Sequence, residues 1–258
     1  MSLFDAIAIL FVVGIAYGIS LALYRLYAHP LSRYPGPKLA AATQWYEFYF
    51  DVLKRGRFAW EIKRMHEVYG PVVRINPHEL HVSEPDFYDE LYAGPGKKRN
   101  KYDWATNLMM VKGSMWTTID SDLHKLRRAP LAPYFSSSAI RKFDPVIRNK
   151  LDILCDKLEN CRRNQEVVCL DVAFTALTTD IITQYAFGIS YGFLEAAEFN
   201  PGWLKLLQGA SEQSILTKHM PWLVDGLRRI PIAWVVKIKP QVASMMRFNK
   251  VSVFYSLL

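Results

Sequence analysis

The chain has 258 residues, 51% of them apolar, with 14 Phe, 14 Tyr, 7 Trp and a formal net charge of +8. This composition excludes a disordered chain and supplies a core for one large domain or two smaller ones. The basic residues are scattered or paired with acids, as in EIKRMHE, and form no block with interleaved aromatics. That pattern argues against nucleic acid as a partner and suits an anionic membrane or an acidic electron-transfer protein.

Residues Ala6 to Tyr24 read AIAILFVVGIAYGISLALY, nineteen residues without a charge. A helix of about 20 apolar residues spans the hydrocarbon of a bilayer. Asp5 precedes the run, while Arg25, Arg33 and Lys38 follow it. The basic side is the C-terminal side, so the expectation is a single-pass anchor with the body facing the cytosol. A signal peptide would carry a basic segment in front. The three cysteines (Cys155, Cys161, Cys169) have no framework spacing, and no Asn-x-Ser/Thr acceptor occurs. Both observations favour a cytosolic body.

Next comes HPLSRYPGPKLAA, in which Pro30, Pro35 and Pro37 forbid a continuous helix. A stiff, extended connector is expected there. Apolar residues Phe58, Ile62, Met65 and Val68 give amphipathic helix spacing from Arg57 to Val68, stopped by Gly70 and Pro71. Two strands are expected over Val72 to Ile75 and Glu79 to Val82, joined by a turn at Asn76-Pro77, then a short helix from Pro85 through Leu91. Gly94 to Thr118 reads as a long irregular loop with its own hydrophobes, Leu108 to Val111 and Trp116.

Helices are then expected over Asp120 to Ala129, from Ser136–Ser138 to Asn160, over Leu170 to Phe187 with Gly188 as stop, and over Trp203 to Leu216. An apolar, proline-bearing segment runs from Pro221 to Trp234, and a last helix begins near Lys239. The body is expected to be mainly α with a small β-sheet, an α+β arrangement.

Four stretches carry a family resemblance: the apolar run with HPLSRYPGPKLAA, then MHEVYGPVVRINPHELHVSEPDFYDELYA, then HKLRRAPLAPYFSSSAI, then LTTDIITQYAFG. In this order and at these separations the chain resembles the N-terminal half of fungal microsomal cytochrome P450 enzymes. The resemblance implies an anchor over residues 1–24, a proline-rich hinge over 25–42 and an incomplete P450-like catalytic domain over 43–258. It implies haem b as cofactor, an NADPH-dependent P450 reductase as electron donor, the endoplasmic reticulum membrane as location and a small apolar organic substrate.

Matched by position, His124 and Arg128 would reach the haem propionates. Residues four apart lie on one helix face, and imidazole and guanidinium both suit carboxylates. Arg127 would point elsewhere and serve a surface ion pair. Leu108, Met109, Met110 and Val111 are substrate-lining candidates by position. Leu216 to Trp234 resembles the family's substrate-entry, membrane-dipping region.

The departures are equally informative. Glu61 to Arg64 and Glu159 to Arg162 spell the family's Glu-x-x-Arg motif in the wrong elements, and Thr178-Thr179-Asp180 lies in the wrong helix for the oxygen-activating acid-Thr pair. No cysteine has the glycine-rich surroundings of the family's thiolate ligand. The expectation is a chain that is inactive by itself, exposes apolar faces and holds haem weakly. A non-catalytic membrane-associated helical protein and a truncated gene product are the other readings.

Overall fold

The uncharged run forms α1 (Leu3–Leu23), opened by a reciprocal cap in which the Ser2 hydroxyl accepts from the Asp5 amide (3.1 Å) and the Asp5 carboxylate accepts from the Ser2 amide (2.8 Å). The computed structural model describes residues 2–92, 94, 96–109, 113–222 and 226. The chain divides into two compact units, Met1–Arg99 and Asn100–Leu258.

In the first unit no residue of α1 is buried, and the helix runs on through a π turn, Tyr24–Ala28. Together they make one span, Leu3–Ala28, long and apolar enough to cross a membrane by length and composition. Arg25 interrupts the uncharged run without interrupting the backbone hydrogen bonding.

The connector is not extended throughout. The Leu31 amide donates to His29 Nδ1 (3.1 Å) and the Ser32 amide to the His29 carbonyl (2.8 Å), making a turn. A short helix α2 (Lys38–Ala42) starts directly after Pro37 and buries Ala40 and Ala41. The prolines do prevent a continuous helix, but Gly36 between two of them and Ala40 and Ala41 after the last allow close packing. The Arg74 amide donates to the Pro35 carbonyl (2.8 Å), and a Cβ added at Gly36 would collide with the Arg74 carbonyl.

α3 (Trp45–Phe48) continues as a π turn over Tyr49–Leu53. α4 (Phe58–Tyr69) presents Phe58, Ile62 and Met65 on one face. Gly70, at φ 92°, ends it with a backbone that L side chains rarely adopt. β1 (Val72–Asn76) and β2 (Glu79–Val82) pair antiparallel in the register Val72↔Val82, Val73↔His81, Arg74↔Leu80, with an irregularity between Arg74 and Asn76. The core gathers Ala40, Phe58, Met65, Val73 and Ile75, backed by Tyr46, Phe50 and Ile62. A 3₁₀ turn at Pro85–Phe87 leads into α5 (Tyr88–Leu91).

The second unit holds α6 (Asp103–Thr106), α7 (Ser121–Arg128), α8 (Ser137–Arg163), α9 (Leu170–Phe187) and α10 (Pro201–His219). α8 contains Pro145, yet continues for 27 residues. α9 stops at Gly188, left-handed at φ 72°, as the sequence predicts. α10 extends three residues past the expected Leu216. Leu154 of α8 packs with Val172, Ala173, Ala176 and Leu177 of α9 and with Leu194 and Phe199 of the following loop. Trp203 Nε1 donates to Thr179 Oγ1 (2.9 Å) and ties α10 to α9.

Candidate haem-facing site

α7 is a short helix fixed at both ends. The Asp120 carboxylate accepts from the amides of Asp122 (3.0 Å) and Leu123 (2.8 Å), which satisfies two otherwise orphaned donors. Lys125, Arg127 and Arg128 fill its last turn, where the helix dipole favours cations. His124 and Arg128 stand one turn apart, the first half-buried and the second exposed.

The two neighbouring arginines are treated differently. Arg127 donates to Thr118 Oγ1 (2.6 Å), and that hydroxyl donates to the Ser114 carbonyl (2.7 Å). Arg127 therefore braces the preceding loop, rather than forming the ion pair expected of it. Among the described residues no carboxylate and no hydrogen-bond acceptor meets the Arg128 guanidinium.

A third cation was not singled out by sequence reading. Burial holds the His124 imidazole below its ordinary proton affinity, and Lys101 and Arg128 add like-charge repulsion. Lys101 is fixed: its amide donates to the Ile119 carbonyl (3.0 Å), and its ammonium donates to the carbonyls of Met115 (3.3 Å) and Trp116 (2.6 Å). The Ser121 amide donates to Asn100 Oδ1 (3.1 Å), so both ends of the loop are clasped at the start of α7. The only sequence signal was the basic character of GPGKKRNK, which does not distinguish Lys101 from its neighbours. The arrangement is a preorganised cationic face suited to carboxylates.

Of the substrate-lining candidates, Leu108 is half-buried and Met109 is 44% exposed. Met110 and Val111 lie outside the described residues, as do Leu223, Leu227, Arg228, Arg229, Ile230, Ile232 and Trp234 of the expected entry segment. Trp222 is exposed. α6 is tied to α10: Thr217 Oγ1 donates to the Asn107 carbonyl (3.1 Å), and the Trp104 and His219 rings meet edge-on at 5.6 Å.

The near-motifs have structural uses. Arg64 and Glu61 form a bidentate pair (2.9 and 2.6 Å), as do Arg162 and Glu159 (2.7 and 2.7 Å), each within one turn of its own helix. Asp180 is fully buried and accepts from the amides of Phe193 (3.1 Å) and Leu194 (3.0 Å). The three cysteines are free, on α8 and at the start of α9. Burial, with the Glu166 carboxylate beside it, pushes the Cys161 thiol up, away from a thiolate.

The family model described as Cytochrome P450 matches residues 42–239, which takes in the whole of this site. The chain belongs to the cytochrome P450 family. A P450 monooxygenase of Cochliobolus heterostrophus is 44% identical over 236 residues, 91% of this chain and 45% of that protein. A tryptophan 6-hydroxylase of Fusarium equiseti is 42% identical, over 88% of this chain and 44% of its own length. An N-acetyltryptophan 6-hydroxylase of Emericella nidulans is 37% identical, over 96% of this chain and 48% of its own. The chain thus spans about half the length of these curated P450 relatives. Family membership implies a haem iron cofactor. The residues present fit the acidic edge of that group: a half-buried imidazole, an exposed guanidinium and a clasped lysine, with no acid among the described residues competing for Arg128.

Proposed function

We propose that the complete protein is a haem-dependent monooxygenase that hydroxylates or epoxidises a small apolar organic substrate. Its electrons come from an NADPH-dependent P450 reductase. This chain contributes the face that grips haem b by its propionates and part of the substrate pocket. When bound, the haem supplies the oxygen-activating iron centre. His124 and Arg128 hold the two propionates, with Lys101 reinforcing the positive potential. Leu108, Met109, Met110 and Val111 line the substrate side. An aromatic substrate falls within this class, since two relatives are named as hydroxylases of tryptophan and N-acetyltryptophan.

Residues 1–24 anchor the protein in the endoplasmic reticulum membrane with the body in the cytosol, residues 25–42 are the hinge, and residues 43–258 are part of the catalytic domain. The observation that carries this reading is that His124 and Arg128 stand one turn apart on α7, inside the P450 match, with no carboxylate among the described residues meeting Arg128.

By themselves these 258 residues are inactive, because none of the three cysteines sits in a glycine-rich loop. Sequencing the native transcript across the Leu258 codon tests the reading. The expected message continues into Glu-x-x-Arg and a glycine-rich cysteine loop. Its product, expressed with a reductase, then gives the carbon monoxide difference spectrum of thiolate-bound haem, and the 258-residue chain does not. A message that stops at Leu258 overturns the monooxygenase reading for this protein. A thiolate-type spectrum from the 258 residues overturns their inactivity.

A further inference from the structure

Two arginines meet at the foot of α1 with no acid beside them among the described residues. Arg74 is 1% exposed; its Nη1 donates to the Arg25 carbonyl (2.8 Å) and its Nη2 to the Pro77 carbonyl (2.8 Å). Arg25 in turn donates from Nη1 to the Ala42 carbonyl (3.0 Å), and its Nη2 lies 3.4 Å from His78 Nε2. The His29 and His78 rings stand edge-on at 5.5 Å. The Nε atoms of both arginines are buried and have no hydrogen-bond partner among the described residues.

The acids nearby do not answer these charges. Glu47 and Glu79 both accept from Asn76 Nδ2, and among the described residues no carboxylate reaches Arg25 or Arg74. Every acceptor the guanidiniums find is neutral. Two of them, Arg25 O and Ala42 O, belong to the C-terminal turns of helices, and a helix C-terminus carries at most about half a negative charge. Two such ends offset about one of the two guanidinium charges. The mutual effect shows on the neighbours: burial first, then the arginines, lower the proton affinities of His29 and His78, and burial with Arg25 lowers that of Arg74. A buried guanidinium stays ionised, so an uncompensated pair seeks an anion from outside.

The place of the cluster names that anion. The apolar span ends at Ala28, so Arg25, His29 and His78 stand where a membrane-spanning helix leaves the hydrocarbon for the headgroups. Arg25 and His29 are half-buried and His78 is exposed, which leaves an approach for a ligand above the buried Arg74. A guanidinium fork and two imidazoles match a phosphate.

We propose that Arg25, His29, His78 and Arg74 form a site for the phosphate of a net-anionic membrane phospholipid. Arg25, His29 and His78 donate to the phosphate oxygens, and Arg74 supplies the charge behind them. The lipid thereby fixes the first unit to the bilayer surface. This inference rests on reading α1 as a membrane anchor.

The test uses the full 258-residue chain in phosphatidylcholine nanodiscs, with and without a minor fraction of phosphatidic acid. Native mass spectrometry then reads the lipid retained after the disc is stripped. One phosphatidic acid per chain is expected, with retention at least tenfold lower in Arg25→Gln. His78→Gln, at an exposed ring, serves as the second variant should Arg25→Gln fail to fold, and it too should lose lipid. Insertion into both discs with equal retention in wild type and variants overturns the site and leaves the anchor standing. Displacement of the lipid by millimolar inorganic phosphate overturns the lipid assignment in favour of a free-phosphate site. Failure to insert into either disc overturns the anchor and the lipid site together.

Discussion

Lys150 of α8 and Asp180 of α9 face each other at 4.0 Å, and both are all but removed from water. Lys150 also donates to Ser190 Oγ (3.0 Å) and to Glu195 (3.1 Å), while Asp180 accepts from the amides of Phe193 and Leu194. One ionic knot therefore holds two helices and the loop after α9. Removing the Asp180 carboxylate leaves Lys150 its Glu195 partner but strips the Phe193 and Leu194 amides of their acceptor, and each buried donor left unsatisfied costs about 1–3 kcal/mol. Asp180→Ala should lower the unfolding free energy of the second unit by that order, read as a fall in its urea midpoint. Asp180→Asn should cost less, since one amide oxygen remains to accept. An unchanged midpoint in Asp180→Ala would show that the knot contributes nothing to stability.

Gly36 is the next pressure point. Its contact with the Arg74 carbonyl lets the proline-flanked connector lie flat on β1. A methyl group there meets backbone, which cannot swing aside like a side chain. Gly36→Ala should destabilise the first unit by about 1–3 kcal/mol, the usual cost of overpacking. Gly14→Ala, in α1 with open space around it, is the matched control and should be silent in the same melting experiment.

Elements governed by local signals could be read from the sequence. α9 begins and ends where its apolar spacing and Gly188 place it. The strands and the bounds of α4 follow from Gly70-Pro71 and Asn76-Pro77. What escaped depends on partners distant in the chain. Nothing around Gly36 announces Arg74. Nothing around Lys101 announces that Ile119, Met115 and Trp116 will bring it to His124. The spacing of His124 and Arg128 placed them on one face but could not show that Arg127 would be spent on Thr118.

The Tyr46–Glu61–Arg64 cluster makes stability depend on pH at both ends of the scale. Tyr46 donates to Glu61 (2.5 Å), which also takes two hydrogen bonds from Arg64. Hydrogen bonding from Arg64, with Tyr46 adding, holds the Glu61 carboxyl below its ordinary value despite the opposing effect of burial. Its contribution is therefore present above the unfolded value of about 4.3 and fades as pH falls through the folded one. Burial first, then the hydrogen bond to Glu61, push the Tyr46 phenol up to about 12. Its contribution is present below the unfolded value of about 10 and fades as pH rises towards the folded one. Tyr46→Phe should flatten the alkaline limb of a stability–pH curve, and Glu61→Gln should flatten the acid limb. A wild-type-shaped curve in both variants would remove the cluster from the account.

The carboxylate grip proposed for α7 can be tested without turnover. In the free chain, burial and then the charges of Lys101 and Arg128 depress the His124 imidazole. A folded value below the unfolded one means that His124 favours the folded state when neutral; this contribution is present above the unfolded value and is lost as pH falls through the folded one. Two propionates at the site would reverse the local field, so adding haem should raise the imidazole's proton affinity, measured by NMR titration of the ring. Arg128→Gln removes one repelling charge and should raise the His124 value in the free chain, while shrinking the further rise on adding haem. The same variant should weaken haem retention by about tenfold or more, since a hydrogen bond to a charged group contributes about 1.5–3 kcal/mol. Esterifying both propionates should weaken binding to wild type comparably and remove most of the difference between wild type and Arg128→Gln. Equal binding of haem and its dimethyl ester to the wild type would mean that α7 faces something other than the propionates.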